Sequence, residues 1–216
     1  ARVPMAIVDQ LALETYDKIK RNYGGKGIFR HEGTRTLTGK IRGHIGTFAD
    51  QVYPIYALSV YSRVYGDEEA SNMAKACADA ICCNQGDMGQ WWWYYNADTG
   101  TVAGYHPVYS VHQDGMGPMA LYAVQDVTRI YYTKSIMKGL DWLYGENELQ
   151  RSMVSKRHNL IMRCVWAGMS KRNEDLLRAI LHFNPILRNR GLNVLRECRP
   201  YHLGWLLYAL SSKAKL

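Results

Sequence analysis

The stretch DQVYPIYALSVYSRVY, residues 50–65, and its echo DGMGPMALYAVQDVT, residues 114–128, decide how this chain is read. Asp50 stands four residues before Pro54 and Asp114 four before Pro118, an offset of 64 residues (114 − 50). Each proline opens a run rich in Ala, Leu, Val and Tyr. A proline is best accommodated in the first turn of a helix, where its missing N–H has no intrahelical partner to lose. Each aspartate is therefore expected just ahead of a helix start.

The first of these helices, predicted over 53–65, is apolar on more than one face, which implies burial inside a helical assembly. Gly66 ends it, and Asp67, Glu68 and Glu69 open a further helix running to 83, since acids favour the positive end of the helix dipole. The same order recurs with an apolar helix over 118–127 and an amphipathic one over 133–144. A helix over 3–23 stops at Gly24 and Gly25, and a polar loop covers 26–46. Further helices are predicted over 152–169, over 173–183 and from Pro200 through Leu210.

Hairpins that alternate an apolar helix with an amphipathic one predict an all-α class. The expected architecture is an α/α toroid, a partial or complete ring of helical hairpins in one domain over 1–216, with inner helix starts sharing a mouth. A bundle or an open solenoid is the competing arrangement. About four hairpins are counted, so a six-hairpin ring would be completed by a second copy or by the remainder of a longer chain.

Composition fits an ordinary globular chain: hydrophobic residues are 47% and charged residues 21% of the 216, which argues against disorder, collagen and coiled coil. No run approaches the roughly 20 apolar residues of a membrane span, and the N-terminus lacks the order of a signal peptide. The five cysteines, Cys77, Cys82, Cys83, Cys164 and Cys198, form no CxxC and no zinc-ligand spacing, so neither a disulfide framework nor a metal site is expected. Reduced thiols in a cytoplasmic protein are the expectation, with no cofactor. The net charge of +8 suits an anionic partner. The basic residues are spread without a dense run, so a small anionic substrate or glycan is favoured and nucleic acid is not expected.

The segment QGDMGQWWWYYN, residues 85–96, places three tryptophans in a row. Extended, residues 91–95 would alternate faces, and a turn at Asp98, Thr99 and Gly100 would close a short aromatic β-hairpin-like loop. Such rings stack on sugar faces or polyprenyl chains and stabilise carbocations, although large aromatics are also ordinary core material. Trp91, Trp92, Tyr53, His106 and Tyr109 are accordingly candidate ligand contacts. His112 and Asp114 lie two residues apart, and a carboxylate with an imidazole can serve as acid and base. Asp50 is the repeat partner of Asp114, and two acids meeting across one axis are what glycoside hydrolysis uses; two capping aspartates are the alternative. Asp50, His112 and Asp114 are the expected catalytic set. Glu197, Arg199, Tyr201 and His202 crowd the last helix start, where Arg199 can hold an anion by a two-pronged hydrogen bond.

The pattern resembles the six-hairpin glycosidase-like proteins and the terpenoid cyclase and prenyltransferase toroids, over residues 40–145 and 197–210. Gln85, Gly89 and Trp91 satisfy the QxxxGxW pattern that recurs in squalene-cyclase-like proteins, where it is similar to a structural clasp. The acidic DxDD and DDxxD motifs of terpene chemistry are absent. The resemblance thus implies a carbohydrate-active hydrolase, lyase or epimerase acting on an acidic or phosphorylated sugar. A terpenoid-cyclase-like enzyme and a non-catalytic helical scaffold are the alternatives.

Overall fold

The computed structural model describes residues 5–32, 42–167 and 191–211. The helix expected over 173–183 lies outside the described residues.

Six α-helices are present among the described residues: α1 (Met5–Arg21), α2 (Ala49–Tyr65), α3 (Glu68–Cys83), α4 (Gly117–Thr128), α5 (Thr133–Tyr144) and α6 (Pro200–Leu210). The boundary between α2 and α3 follows the sequence signals. Gly66, at φ 68°, closes α2 by donating to the Ser62 carbonyl, and the Asp67 carboxylate caps α3 by accepting from the Ala70 N–H at 2.7 Å. The left-handed backbone at Gly66 costs a glycine little.

The all-α expectation is corrected by eight short strands in three antiparallel sheets among the described residues. The first sheet orders β1 (Ile45–Thr47), β2 (Tyr94–Asn96) and β3 (Thr101–Gly104). The second orders β4 (Val108–Tyr109), β7 (Cys164–Trp166) and β8 (Asn193–Leu195). The third pairs β5 (Val154–Ser155) with β6 (Leu160–Ile161). The fold is mixed α and β, and the toroid of helical hairpins alone does not describe it. The turn at residues 98–100 joins β2 to β3, with Asn96 Oδ1 accepting from the N–H groups of Asp98 and Thr99.

The helix expected over 152–169 is replaced by β5, β6 and β7. Asn159, at φ 50°, supplies the left-handed turn residue between β5 and β6, a conformation asparagine tolerates better than most side chains. The flanking Val154, Leu160, Ile161 and Val165 then pair across strands, where branched side chains pack well.

The sheets lead into the helices. β1 runs into α2, β4 runs into the turn that opens α4, and β8 precedes α6. Tyr53 faces Trp205 at 6.2 Å and Tyr56 faces Tyr208 at 6.1 Å, so α2 and α6 run parallel. Both starts therefore lie at one end of the helical layer. Beneath them Trp91, Trp142, Tyr95, Phe48 and Leu121 are fully buried, each such side chain contributing roughly 1.5–3 kcal/mol of transfer free energy.

Candidate functional site

The helices start earlier than the prolines suggest. α2 begins at Ala49, which puts Asp50 in its first turn and Pro54 inside it. Upstream of α4 the chain already winds as one wide π-helical turn, His112–Met116, with the Gly117 N–H donating to the His112 carbonyl. Both aspartates thus lie within helical turns rather than ahead of them. Each proline, four residues on, withholds the N–H that would otherwise bond the aspartate's carbonyl.

The wide turn splays three consecutive side chains in three directions. His112 packs among Trp93, whose ring is parallel to it at 5.8 Å, Phe48 at 4.8 Å and Tyr109 at 5.2 Å. Gln113, with its amide oriented to satisfy both neighbours, donates to the Gly89 carbonyl at 2.9 Å and accepts from the Trp91 N–H at 3.2 Å. Asp114 turns toward α6, where His202 Nε2 donates to its two oxygens at 2.7 and 2.9 Å.

His112, Asp114 and His202 are all buried. Burial and the neighbouring His202 push the His112 imidazole down to about 3, so it is neutral near pH 7. Burial also raises the Asp114 carboxyl, with the His202 hydrogen bond and charge opposing that shift without cancelling it. Both shifts follow from the cost of placing charge in a low-dielectric interior.

Asp50 has a different setting. Its carboxylate accepts from the Thr47 N–H at 2.7 Å and the Thr47 hydroxyl at 2.6 Å, and His31 Nδ1 lies 3.0 Å away. The side chain keeps 23% of its surface exposed and His31 keeps 50%, against 2% for Asp114. The two repeat-related acids are therefore unequal: one is sealed by an imidazole in the interior, the other is reached by solvent beside an imidazole.

An open cleft of about 520 Å³ runs between α2 and α6, lined by Tyr53, Tyr56, Met119, Tyr201, Gly204, Trp205 and Tyr208. The hydroxyls of Tyr56 and Tyr208 bond one another across it. Asp50 lies one turn before Tyr53, a spacing that places both on one face of α2. On α6, Tyr201, Gly204, Trp205 and Tyr208 make the matching stripe, while His202 points the other way into Asp114.

Of the expected ligand contacts, Tyr53 and Tyr201 line this cleft. Trp91 and Trp92 do not: Trp91 is fully buried against Phe48, and Trp92 meets Tyr105 and His106 edge-on in the interior. His106 is buried with them. Gln85 donates to the carbonyls of Gly89 and Ser135, so the QxxxGxW residues tie the tryptophan loop to the start of α5. The partly exposed member of the triplet is Trp93, whose Nε1 and the nearby His112 Nδ1 are buried polar atoms with no hydrogen-bond partner.

Glu197 and Arg199 form an ion pair at 2.9 Å, and the same Glu197 oxygen accepts from Arg163 at 2.8 Å. Phe48 and Arg163 carry no motif and were not foreseen. Phe48 is placed by the β1–β2 contact, its N–H donating to the Trp93 carbonyl at 3.1 Å, and Arg163 by strand pairing that the helical reading of 152–169 concealed.

No protein-family profile matches the chain, and no curated protein is similar to it. Among solved structures, a novel alpha-amylase from Clostridium perfringens aligns with a TM-score of 0.53 at 13% identity, covering 74% of this chain and 42% of that one. The likeness is one of fold, and this chain spans less than half the length of that neighbour. No helix among the described residues is long and apolar enough to cross a membrane.

Proposed function

We propose that this chain is a carbohydrate-active enzyme whose glycan lies in the aromatic cleft between α2 and α6. The observation that carries the reading is the cleft wall: Tyr53, Tyr56, Tyr201, Trp205 and Tyr208 line it with aromatic rings from two parallel helices. Stacking of that kind suits the apolar faces of consecutive sugar rings. The fold likeness to an alpha-amylase supports the same substrate class.

Asp50 is the acid/base group in this reading, because its carboxylate is accessible, is fixed by Thr47 and has His31 beside it. Proton transfer by a positioned carboxylate or imidazole contributes typically 10²–10⁴-fold. Asp114 and His202 hold α6 in place and so set the far wall. His112 sits at the base of the aromatic nest as a neutral imidazole able to donate or accept.

Calorimetric titration with neutral and acidic oligosaccharides, alongside reducing-end or unsaturated-product assays, tests the proposal. Binding is expected to weaken about tenfold in Tyr201→Ala, the equivalent of about 1.4 kcal/mol, and turnover to fall at least about 100-fold in Asp50→Asn. Unaltered activity in Asp50→Asn, or no saccharide bound at all, overturns it. One observation favours a second reading: the cleft-lining residues include no carboxylate, as a polyprenyl site would have it. Saturable binding of a polyprenyl diphosphate in place of any saccharide would select that reading.

A further inference from the structure

Outside the cleft a charged cluster is built around Arg163, Glu197 and Arg199. Its backbone is clamped on both sides, since its carbonyl accepts from the Ser110 N–H at 2.9 Å and its N–H donates to the Leu195 carbonyl at 3.2 Å. The guanidinium lies over the Tyr109 ring at 5.5 Å. That ring in turn meets Trp93 at 5.0 Å and His112 at 5.2 Å. Arg163 thereby stands at the rim of the same aromatic nest that surrounds His112.

Among the described residues the charges do not cancel within the cluster. Arg163 Nη1 and Arg199 Nη2 both donate to the one oxygen Oε2 of Glu197, so two cations face one anion. Burial pushes the Arg163 guanidinium down, but its bond to Glu197 and the nearby Tyr109 and Tyr201 outweigh this and hold it above its ordinary value. The side chains of Arg163, Glu197 and Arg199 retain 27%, 43% and 48% of their surface. An ion pair this exposed is cheap to rearrange. Arg199 is the N-cap of α6, two residues before Tyr201, which lines the cleft, so the cluster sits at the start of α6 next to that wall.

We propose that Arg163, with Arg199, is the specificity determinant of this site and selects a glycan bearing a carboxylate, such as a uronic-acid residue. A guanidinium matches a carboxylate in shape as well as charge, and the Glu197 carboxylate already draws one bond from each of the two guanidinium groups here. Glu197 holds both guanidinium groups in position until the substrate carboxylate shares them. The proposal rests on the glycan reading above and narrows its substrate class.

The test is a calorimetric comparison of a uronic-acid oligosaccharide with a neutral oligosaccharide of equal length, repeated with a phosphorylated sugar. The acidic oligomer is expected to bind at least about tenfold tighter at low salt, with the advantage shrinking as salt screens it. Arg163→Gln is expected to abolish that preference while leaving the neutral ligand within about twofold, and Arg163→Lys to restore only part of it, since lysine keeps the charge without the fork. Arg199→Gln, at a more exposed position, gives the same readout should Arg163→Gln fail to fold. Equal binding of acidic and neutral oligomers overturns the inference and leaves the glycan reading standing. Preference for the phosphorylated sugar alone overturns the assignment to a carboxylate, and binding of neither oligomer overturns both readings.

Discussion

His202 Nε2 bonds both carboxylate oxygens of Asp114, joining the first turn of α6 to the wide turn ahead of α4 across 88 residues of sequence, with 4% and 2% of the two side chains exposed. A pair so enclosed cannot lose one member cheaply. His202→Leu leaves a buried carboxylate unpartnered and is expected to cost about 3–5 kcal/mol, while Asp114→Leu/His202→Leu, which removes both polar groups, should cost distinctly less than His202→Leu alone. Urea denaturation of the two variants measures this. A loss under about 1 kcal/mol in His202→Leu would mean that the contact does not hold α6.

The burial of His112 makes stability depend on acid. Its folded value of about 3 lies below the ordinary imidazole value of 6.5, so the unfolded chain binds a proton at pH values where the fold refuses it. The contribution is complete above pH 6.5 and is lost as pH falls toward 3, roughly 3 kcal/mol of it by pH 4. Asp114 acts in the opposite sense: its raised carboxyl favours the fold below the ordinary carboxylate range, and that contribution is lost as pH rises through the folded value. Acid lability between about pH 6.5 and 4 should therefore largely disappear in His112→Phe, and should steepen in Asp114→Asn. Urea midpoints at about pH 7 and about pH 4 decide it.

What the sequence made legible was whatever depends on neighbours along the chain. The Gly66 stop, the Asp67 cap and the turn at residues 98–100 are local devices, and each does in the structure what its residue type dictates. Asp50, Tyr53, Tyr201 and His202 could be placed near helix starts from the prolines and the helix periodicity. The strands over 154–166 were not legible, because their apolar residues fit a helical spacing nearly as well, and only pairing with Val108 and Val194 settles the matter. The same long-range pairing hid Arg163. Nothing local separates Trp93 from Trp91 and Trp92; which ring of three faces outward is fixed by the β1–β2 register, a contact across about 50 residues.

Gly89 and Gly66 both adopt left-handed backbone, at φ 91° and 68°, yet they should respond differently to alanine. At Gly66 a Cβ meets nothing within 4 Å, so the cost is the conformational one of about 1 kcal/mol. At Gly89 the Cβ would fall 2.0 Å from the Lys138 carbonyl oxygen, a backbone atom of α5 that cannot step aside. Gly89→Ala is expected to destabilise by about 3 kcal/mol and to loosen the tryptophan loop, read as increased quenching of tryptophan fluorescence by acrylamide. Equal thermal shifts in the two variants would show that the loop does not depend on this close approach.

The cysteines offer a chemical check on the packing. Cys77 and Cys164 are buried, Cys83 and Cys198 are exposed, and none is in a disulfide. Cys82 is intermediate, but burial together with Asp79 and Cys83 pushes its thiol up to about 12 despite an opposing hydrogen bond from Ser135. Since the thiolate is the reacting species, a native sample titrated near pH 7 with a thiol-specific disulfide reagent should release a rapid burst from Cys83 and Cys198, with the other three following only on denaturation. Cys83→Ser should remove half of the burst, which assigns it. A burst that includes Cys77 would contradict the seating of α3 against Gln51, whose side chain lies 3.5 Å from that sulfur, and with it the anchoring of residues 29 and 47 by the Gln51 amide.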